Sequence, residues 1–595
     1  MSLPAALTRP VLARYYAEGG SPVALAQEVL ARIVAYADPA LFLHQLPEAA
    51  LLAQAEALMA AGPEGKPLYG IPFVVKDNID VAGLPTTAAC PGFAYTPSEH
   101  ATAVARLIEA GALMLGKVNL DQFATGLNGT RSPYGTPRNA VVADRIPGGS
   151  SSGSATAVSA GFATFSLGTD TAGSGRVPAM CQNIVGLKST VGATPSKGMV
   201  PACRSIDLIS VFALTVEDAA EVLAVMAGPE PSDPYSRPPP PGWSPAPVPR
   251  ASWRLAVPLE EQLLFDTPDD AALFDAALKR AEALGAVTHR VDIAPLLKVA
   301  TRLYDGAWVA ERTSALREVV TQRPEIMHPV TRSIVEGGLT RLTVDAFDDF
   351  HAVAEARVLA RAIFAEADLL LVPTAPGVPT LAQLAAEPIA ANSRLGTYTN
   401  FVNLCDLSGL AVPAGFRGDG VPFGVTLLAP AWEERRLGGL GAALYAAAGL
   451  PMGATGVATP PAPPAPGLLP GETALFCVGA HMQGLPLNWQ VVEKGGRLLS
   501  EARTAPSYRF YDLGGRPGMV RVADGGAAIA GEVWALPTAS IGALLAQVPA
   551  PLGFGRVTLE DGAIVTGFLC EAAGVEAAPE ITAFGGWRAY KQQAA

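Results

Sequence analysis

The chain has 595 residues, half of them hydrophobic and only 16% charged, with a net charge of −12 and a pI near 5.1. That supplies two or more domains with large apolar cores. The acidic balance, with no clustered Lys/Arg block, argues against nucleic acid as a direct partner, because phosphate binding needs a positive footprint. Cys90, Cys181, Cys203, Cys405, Cys477 and Cys570 are scattered without CxxC spacing, so neither a zinc site nor a disulfide framework is expected. The first twenty residues lack the basic and apolar regions of a signal peptide, and no run reaches the roughly 20 apolar residues of a membrane helix. The expectation is a soluble cytoplasmic protein without membrane contact.

In chain order, residues 22–60 carry helical spacing of apolar positions (Val23, Leu25, Val29, Leu30, Ile33, Val34). Residues 70–75 (GIPFVV) predict a short buried strand that ends at Lys76. Residues 101–110 predict a helix and 112–116 a further strand, and this alternation predicts a layered α/β sheet. Residues 145–158 read RIPGGSSSGSATAV and residues 168–179 read GTDTAGSGRVPA. A Gly/Ser run by composition alone is a linker. This one is flanked by a small-residue helix (155–161) and a strand-like run (163–167), so it belongs to a core. Phosphate-loop patterns are absent from it.

Two proline-rich stretches punctuate the chain. The one at about 229–249 is expected to be a surface excursion within one domain. The one at about 454–470 separates Ala-rich helical sequence from strand-like runs at 474–478, 519–522 and 531–535, and marks a domain boundary. The six histidines (His44, His100, His289, His328, His351, His481) sit in no GxSxG, Cys–His or HExxH context, which gives no support to a Ser–His–Asp or zinc hydrolase.

GGSSSGSA followed by TDTAGSGRVPA resembles the amidase signature family, α/β enzymes with a mixed twisted sheet flanked by helices. The resemblance implies hydrolysis of a carboxamide by a Ser–cisSer–Lys triad: Ser174 as nucleophile, Ser150 as relay and Lys76, in VVKDNID, as base. It further implies an oxyanion hole of the backbone amides of Thr171, Ala172, Gly173 and Ser174. Many family members carry GGS around the nucleophile where this chain has AGS. Because the donors are backbone amides, Ala172 leaves the chemistry intact.

The residue types suit that chemistry. An amide is a poor electrophile, so cleavage needs an activated hydroxyl and donors aimed at the tetrahedral oxyanion. Lysine accepts a proton only when neutral, and burial disfavours its ammonium. Lys76 ends an apolar run, as required, although a carboxylate partner in Asp77 or Asp80 is the ordinary alternative. Asp170 and Arg176 read as a buried structural pair, and Ser151, Ser152 and Ser154 as hydrogen-bonding partners of the loop backbone.

Two further segments are similar to the allophanate hydrolase branch of the family. LYDGAWVAER (303–312) implies that Tyr304 and Arg312 hold the substrate. Eight residues apart, they can share one helix face, and an arginine fork suits a carboxylate. FCVGAHMQGLPLNWQ (476–490) and GGAAIAGEVWALP (525–537) resemble the appended γ-glutamylcyclotransferase-like domain, a small barrel-like α/β unit tied to decarboxylation of the first product. There His481 is the catalytic candidate, with Asn488, Tyr508 and Arg509 as pocket neighbours. The organisation implied is an amidase domain over 1–450, a Pro/Ala-rich linker over 451–470 and an accessory domain over 471–595. The resemblance also implies allophanate as substrate, supply of that substrate by a biotin-dependent urea carboxylase, a homodimer, and no metal or organic cofactor. Another small carboxamide as substrate, or a non-catalytic binding role, are the rival readings.

Overall fold

The computed structural model describes residues 3–250, 252–462, 467–469 and 471–593. It divides into two compact units: Met1–Pro239 with Pro245–Ala462, and Pro240–Ser244 with Pro463–Ala595.

The first unit is a mixed α/β layer structure, as the alternation of elements predicts. Its eleven strands are β1 Phe42–Gln45, β2 Pro72–Lys76, β3 Leu113–Val118, β4 Phe165–Asp170, β5 Val185–Lys188, β6 Leu208–Ala213, β7 Trp253–Pro258, β8 Ala286–Val291, β9 Leu369–Pro373, β10 Leu407–Phe416 and β11 Pro422–Pro430. They form one sheet in the order β1-β3-β2-β4-β6-β5-β10-β11-β9-β7-β8. β2 runs parallel to both β3 and β4, while β4 is antiparallel to β6. Every residue of β2, β3 and β4 is buried. That matches their near-continuous apolar sequences, the mark of strands covered on both faces.

The serine-rich motif forms the helix Ser152–Ser159, whose eight residues are all buried. Small side chains let this helix sink into the sheet layer. Its hydroxyls are satisfied by neighbouring backbone: Ser154 donates to Leu167 O at 2.9 Å and Ser159 to Gln182 O at 2.8 Å.

The sequence differs from the structure over residues 22–60. These form two helices, Pro22–Tyr36 and Glu48–Ala61, separated by β1. Ala37 closes the first helix in the left-handed region (φ 51°). The apolar residues of the four-residue strand happen to continue the helical spacing, so periodicity alone conceals the break.

The proline-rich segments also depart from expectation. Residues 451–459 are anchored in the first unit: Asn183 Nδ2 donates to Pro451 O at 2.7 Å, and Met452 is buried. Residues 463–466 and 470 of the expected linker lie outside the described residues. Pro240–Ser244, expected to stay with the amidase-like part, groups with the second unit. Gly242 lies so close to Gly471 that a side-chain carbon at 471 would meet Gly242 Cα at 2.8 Å. An extended proline segment has no ladder of its own, so it packs wherever a backbone of glycines admits it.

The second unit contains β12 Glu472–Cys477, β13 Arg497–Arg503, β14 Tyr508–Asp512, β15 Pro517–Arg521, β16 Ala530–Pro537, β17 Leu552–Thr558 and β18 Ile564–Cys570. Five of them form the sheet β13-β16-β12-β18-β17, and β14 pairs with β15 as a ribbon. The two edge strands meet just beyond their ends, where Thr504 bridges Leu559 and Ala505 N donates to Thr558 O at 2.9 Å. The sheet therefore curls toward a barrel around Phe476, Tyr508, Trp534 and Phe568.

Candidate active site

Parallel pairing of β2 with β4 sets Val75 opposite Leu167, so both strands deliver their C-terminal ends to one place. Crevices outside such ends are where α/β sheets bind ligands. Lys76, the last residue of β2, is fully buried, and its Nζ lies 2.8 Å from Ser150 Oγ and 2.6 Å from Thr169 Oγ1. Among the described residues it forms no ion pair. Burial lowers its pKa to about 7, with Asp121, Asp207 and Asp170 pulling the other way. Asp77, its neighbour in sequence, instead pairs with Lys117 at 3.0 Å and accepts from both the amide and the hydroxyl of Thr87. Asp80 is occupied by the hydroxyls of Thr86 and Tyr95.

The Gly149–Ser150 peptide bond is cis. Ser150 O accepts from Asp121 N at 3.0 Å. Ser174 is 2% exposed, and its Oγ donates to Gly126 O at 3.5 Å. The structure thus joins Lys76 to Ser150 directly, while the hydroxyl of Ser174 bonds to Gly126 and not to Ser150.

The loop after β4 is held from behind. Burial alone would raise the pKa of Asp170, but the Arg176 guanidinium keeps it below the usual carboxylate range through two contacts of 2.9 Å. Its oxygens also accept from Gly173 N and Gly175 N, each at 3.0 Å. Of the four amides expected to form an oxyanion hole, that of Gly173 is therefore committed to Asp170. Thr171 Oγ1 donates to Asp207, whose carboxyl burial pushes up to about 7. Asp207 accepts in addition from the amides of Ala202 and Cys203.

Tyr304 and Arg312 lie on two helices, Arg302–Asp305 and Ala307–Ala315, not on one. The break is at Gly306, where a side chain would run into Asp349 Oδ2 and lie 2.7 Å from Arg302 O. The pair is nevertheless brought together, with the Arg312 guanidinium 5.5 Å from the centre of the Tyr304 ring. Arg312 is fully buried. Its Nη1 donates to Thr125 Oγ1 at 2.7 Å and Ala124 O at 3.3 Å, and its Nη2 lies 3.8 Å from Cys203 Sγ. Its Nε and the Tyr304 hydroxyl are buried without a partner among the described residues. Among the described residues no carboxylate is in ion-pair contact with Arg312, Asp207 acting on it only from farther off, and a buried guanidinium with free donors is prepared to receive an anion.

Sequence reasoning missed the loop over residues 121–131, which connects these groups. Asp121 accepts from the amides of Asn128, Gly129 and Arg131 and donates its own amide to Ser150 O. The same loop supplies the partners of Arg312 and Ser174. Arg131, buried beside Tyr304 and Arg312, donates to Thr125 O and Pro388 O. The available signal was DQFATGLNGTR, a Gly- and Asn-containing turn sequence between β3 and the serine motif. Thr169 was missed as well; its signal is a hydroxyl at the end of the strand beside Lys76.

In the second unit, His481 sits in the loop after β12, with its ring stacked on Phe568 at 4.6 Å and Nε2 2.9 Å from Gln490 Oε1. Burial lowers its pKa. Asn488 Nδ2 donates to His481 O at 2.8 Å, so these two predicted residues are together. Tyr508 and Arg509 have other partners. Tyr508 is fully buried with its hydroxyl accepting from Thr558 N at 2.9 Å, and Arg509 reaches Gly525 O and Glu580. Among the described residues no group of three or more His, Cys, Asp or Glu side chains is arranged to hold a metal ion, and no helix is long and apolar enough to cross a membrane.

Comparison with known proteins follows this division. The family model described as Amidase matches residues 24–437, and that described as Allophanate hydrolase C-terminal domain matches residues 473–592. Urea amidolyase of Saccharomyces cerevisiae is 42% identical over 549 residues, covering 89% of this chain and 30% of that protein. The chain thus spans about a third of the length of the urea amidolyases it matches. The structure of Kluyveromyces lactis allophanate hydrolase superposes with a TM-score of 0.83 at 37% identity, covering 98% of each chain. A glutamyl-tRNA(Gln) amidotransferase component from Thermus thermophilus is 36% identical over 413 residues, 65% of this chain and 86% of that one.

Proposed function

The chain belongs to the amidase family, and on that premise we propose that it hydrolyses allophanate, with the first unit cleaving the amide and the second assisting decarboxylation of the product. The observation that carries the choice of substrate is Arg312: a fully buried guanidinium with no carboxylate in ion-pair contact among the described residues, facing Tyr304 and bonded to the same loop as Ser174. A neutral amide would leave that charge only the distant Asp207 to balance it, whereas the carboxylate of allophanate can meet it directly.

In the first step Ser174 Oγ turns from Gly126 O toward Ser150 and attacks the terminal carboxamide carbon. Ser150 passes the proton to neutral Lys76, whose lowered pKa leaves it available as a base near neutrality. The amides of Thr171, Ala172 and Ser174 stabilise the oxyanion. Lys76 then returns its proton through Ser150 to the departing ammonia, and water hydrolyses the acyl-serine by the same route. The product is N-carboxycarbamate, a small dianion. It takes up a proton and loses carbon dioxide to give carbamate, which on a further protonation breaks down to the second ammonia and a second carbon dioxide. His481 in the second unit assists that loss.

The substrate is itself a carboxylated urea, so an upstream biotin-dependent urea carboxylase is the fitting supplier. A homodimer in solution completes the reading. The test is ammonia release by purified protein from allophanate, with malonamide, acetamide and urea alongside. Fast turnover of allophanate and slow turnover of the neutral amides is expected; the reverse order rejects allophanate as substrate.

A further inference from the structure

The loop that carries His481 is gripped from two sides. One grip is local, from Asn488 and Gln490 of the helix that follows it. The other comes from distant parts of the chain and converges on a single residue, Gln483. Glu532 of β16 is 3% exposed, and its Oε2 accepts from Gln483 N at 2.7 Å and from Trp534 Nε1 at 2.9 Å. Its Oε1 accepts from Arg588 Nη2 at 2.7 Å. The same Arg588 nitrogen donates to Gln483 O at 2.6 Å. One ion pair therefore holds both the amide and the carbonyl of a residue two positions after His481.

A glutamate in the middle of a sheet strand is costly to bury. Cys477 of β12 lies directly opposite it and Glu501 of β13 on its other side. Shielding the core does not require a carboxylate there. What the carboxylate supplies is three donors' worth of fixed direction at the mouth of the loop, with Arg588 contributed by the chain's last described helix, Trp587–Gln593. Glu532 and Arg588 also line a cavity of about 520 Å³, together with Met482, Arg503 and Trp587.

We propose that Glu532 and Arg588 are positioning residues for the His481 loop, and that the C-terminal helix is thereby a working part of the second site. The proposal rests on the role given above to the second unit. Neither side chain takes part in bond making. The pair fixes the loop so that the imidazole meets the dianionic product in one orientation, and a displacement of about 1 Å in such a constellation lowers a rate by up to about a hundredfold.

The experiment measures carbon dioxide release and first ammonia release separately, from allophanate, in the full-length chain. The variants are Glu532→Gln, Arg588→Ala, Arg588→Lys and His481→Ala, with thermal unfolding measured for each. Expected are carbon dioxide release slowed about tenfold or more in Glu532→Gln and Arg588→Ala, first ammonia release within about twofold of the unsubstituted chain, and partial recovery in Arg588→Lys. The proposal is overturned if His481→Ala slows carbon dioxide release while Glu532→Gln and Arg588→Ala do not. It is equally overturned if Arg588→Lys is no better than Arg588→Ala. If His481→Ala itself leaves carbon dioxide release unchanged, the role of the second unit falls, and the positioning inference falls with it.

Discussion

Lys76 and Lys117 lie on adjacent parallel strands, Val75 being opposite Lys117 and Lys76 opposite Val118. Both are fully buried, and burial lowers the pKa of both. Their partners divide them. Lys117 has Asp77 at 3.0 Å with Thr86 Oγ1 and Pro85 O beside it, an ammonium environment closed by a counter-charge. Lys76 has two hydroxyls and, among the described residues, no counter-charge in contact. Burial without a carboxylate in contact favours the neutral amine that a base requires, whereas a paired carboxylate favours the ammonium; for Lys76 the hydroxyl of Ser150 adds a route for the proton.

Substitution should separate the two. Lys76→Met is expected to lower ammonia release by about a thousandfold or more, at the upper end of what a general base contributes, with little loss of stability because a buried charge-bearing group is removed. Lys117→Met leaves Asp77 buried and unpaired, and should cost about 3–5 kcal/mol of unfolding free energy, measured by denaturant titration. If instead Lys117→Met abolished turnover in a well-folded protein, the division between the two lysines would fail.

A smaller effect is expected at Arg312. Arg312→Ala should raise KM for allophanate by about 10- to 100-fold, the worth of a charged hydrogen bond of about 1.5–3 kcal/mol, while hydrolysis of malonamide changes much less. Equal losses on both substrates would mean that Arg312 holds the loop at Thr125 and not the substrate. Smallest is Thr169→Val. It removes an acceptor from the Lys76 ammonium, so the pH midpoint of activity should move down, with maximal turnover within about tenfold. A midpoint moving up would contradict the contact at 2.6 Å.

The sequence exposed these elements unequally. Lys76, Ser150 and Ser174 were legible because a long motif places them at fixed spacing, and the resemblance carries the roles. The buried small-residue helix at 152–159 was legible because serine and glycine inside core-forming sequence cannot be a solvated linker. What distinguishes Lys76 from Lys117 was hidden: Asp77 follows Lys76 in the chain yet turns to the next strand, a matter of which face each side chain takes after the strand ends. Gly306 was visible as a residue, but its role as the break between the helices of Tyr304 and Arg312 depends on Asp349 lying against it. The loop over residues 121–131 carries no charge pattern or period of its own, and its function comes from tertiary contacts. In the second unit, His481 and Asn488 are neighbours through a turn of local sequence, whereas Glu532 and Arg588 reach the same loop from 49 and 105 residues away from Gln483.

The most direct test of the account is the pH dependence of kcat/KM for first ammonia release from allophanate. If Lys76 accepts the Ser174 proton it must be neutral, so activity should rise with pH and level off, with a midpoint of about 7, and the rise should vanish in the residual activity of Lys76→Met. A profile still climbing steeply toward the ordinary lysine range near 10.4, or one unchanged in shape by Lys76→Met, would show that the buried lysine is not the base.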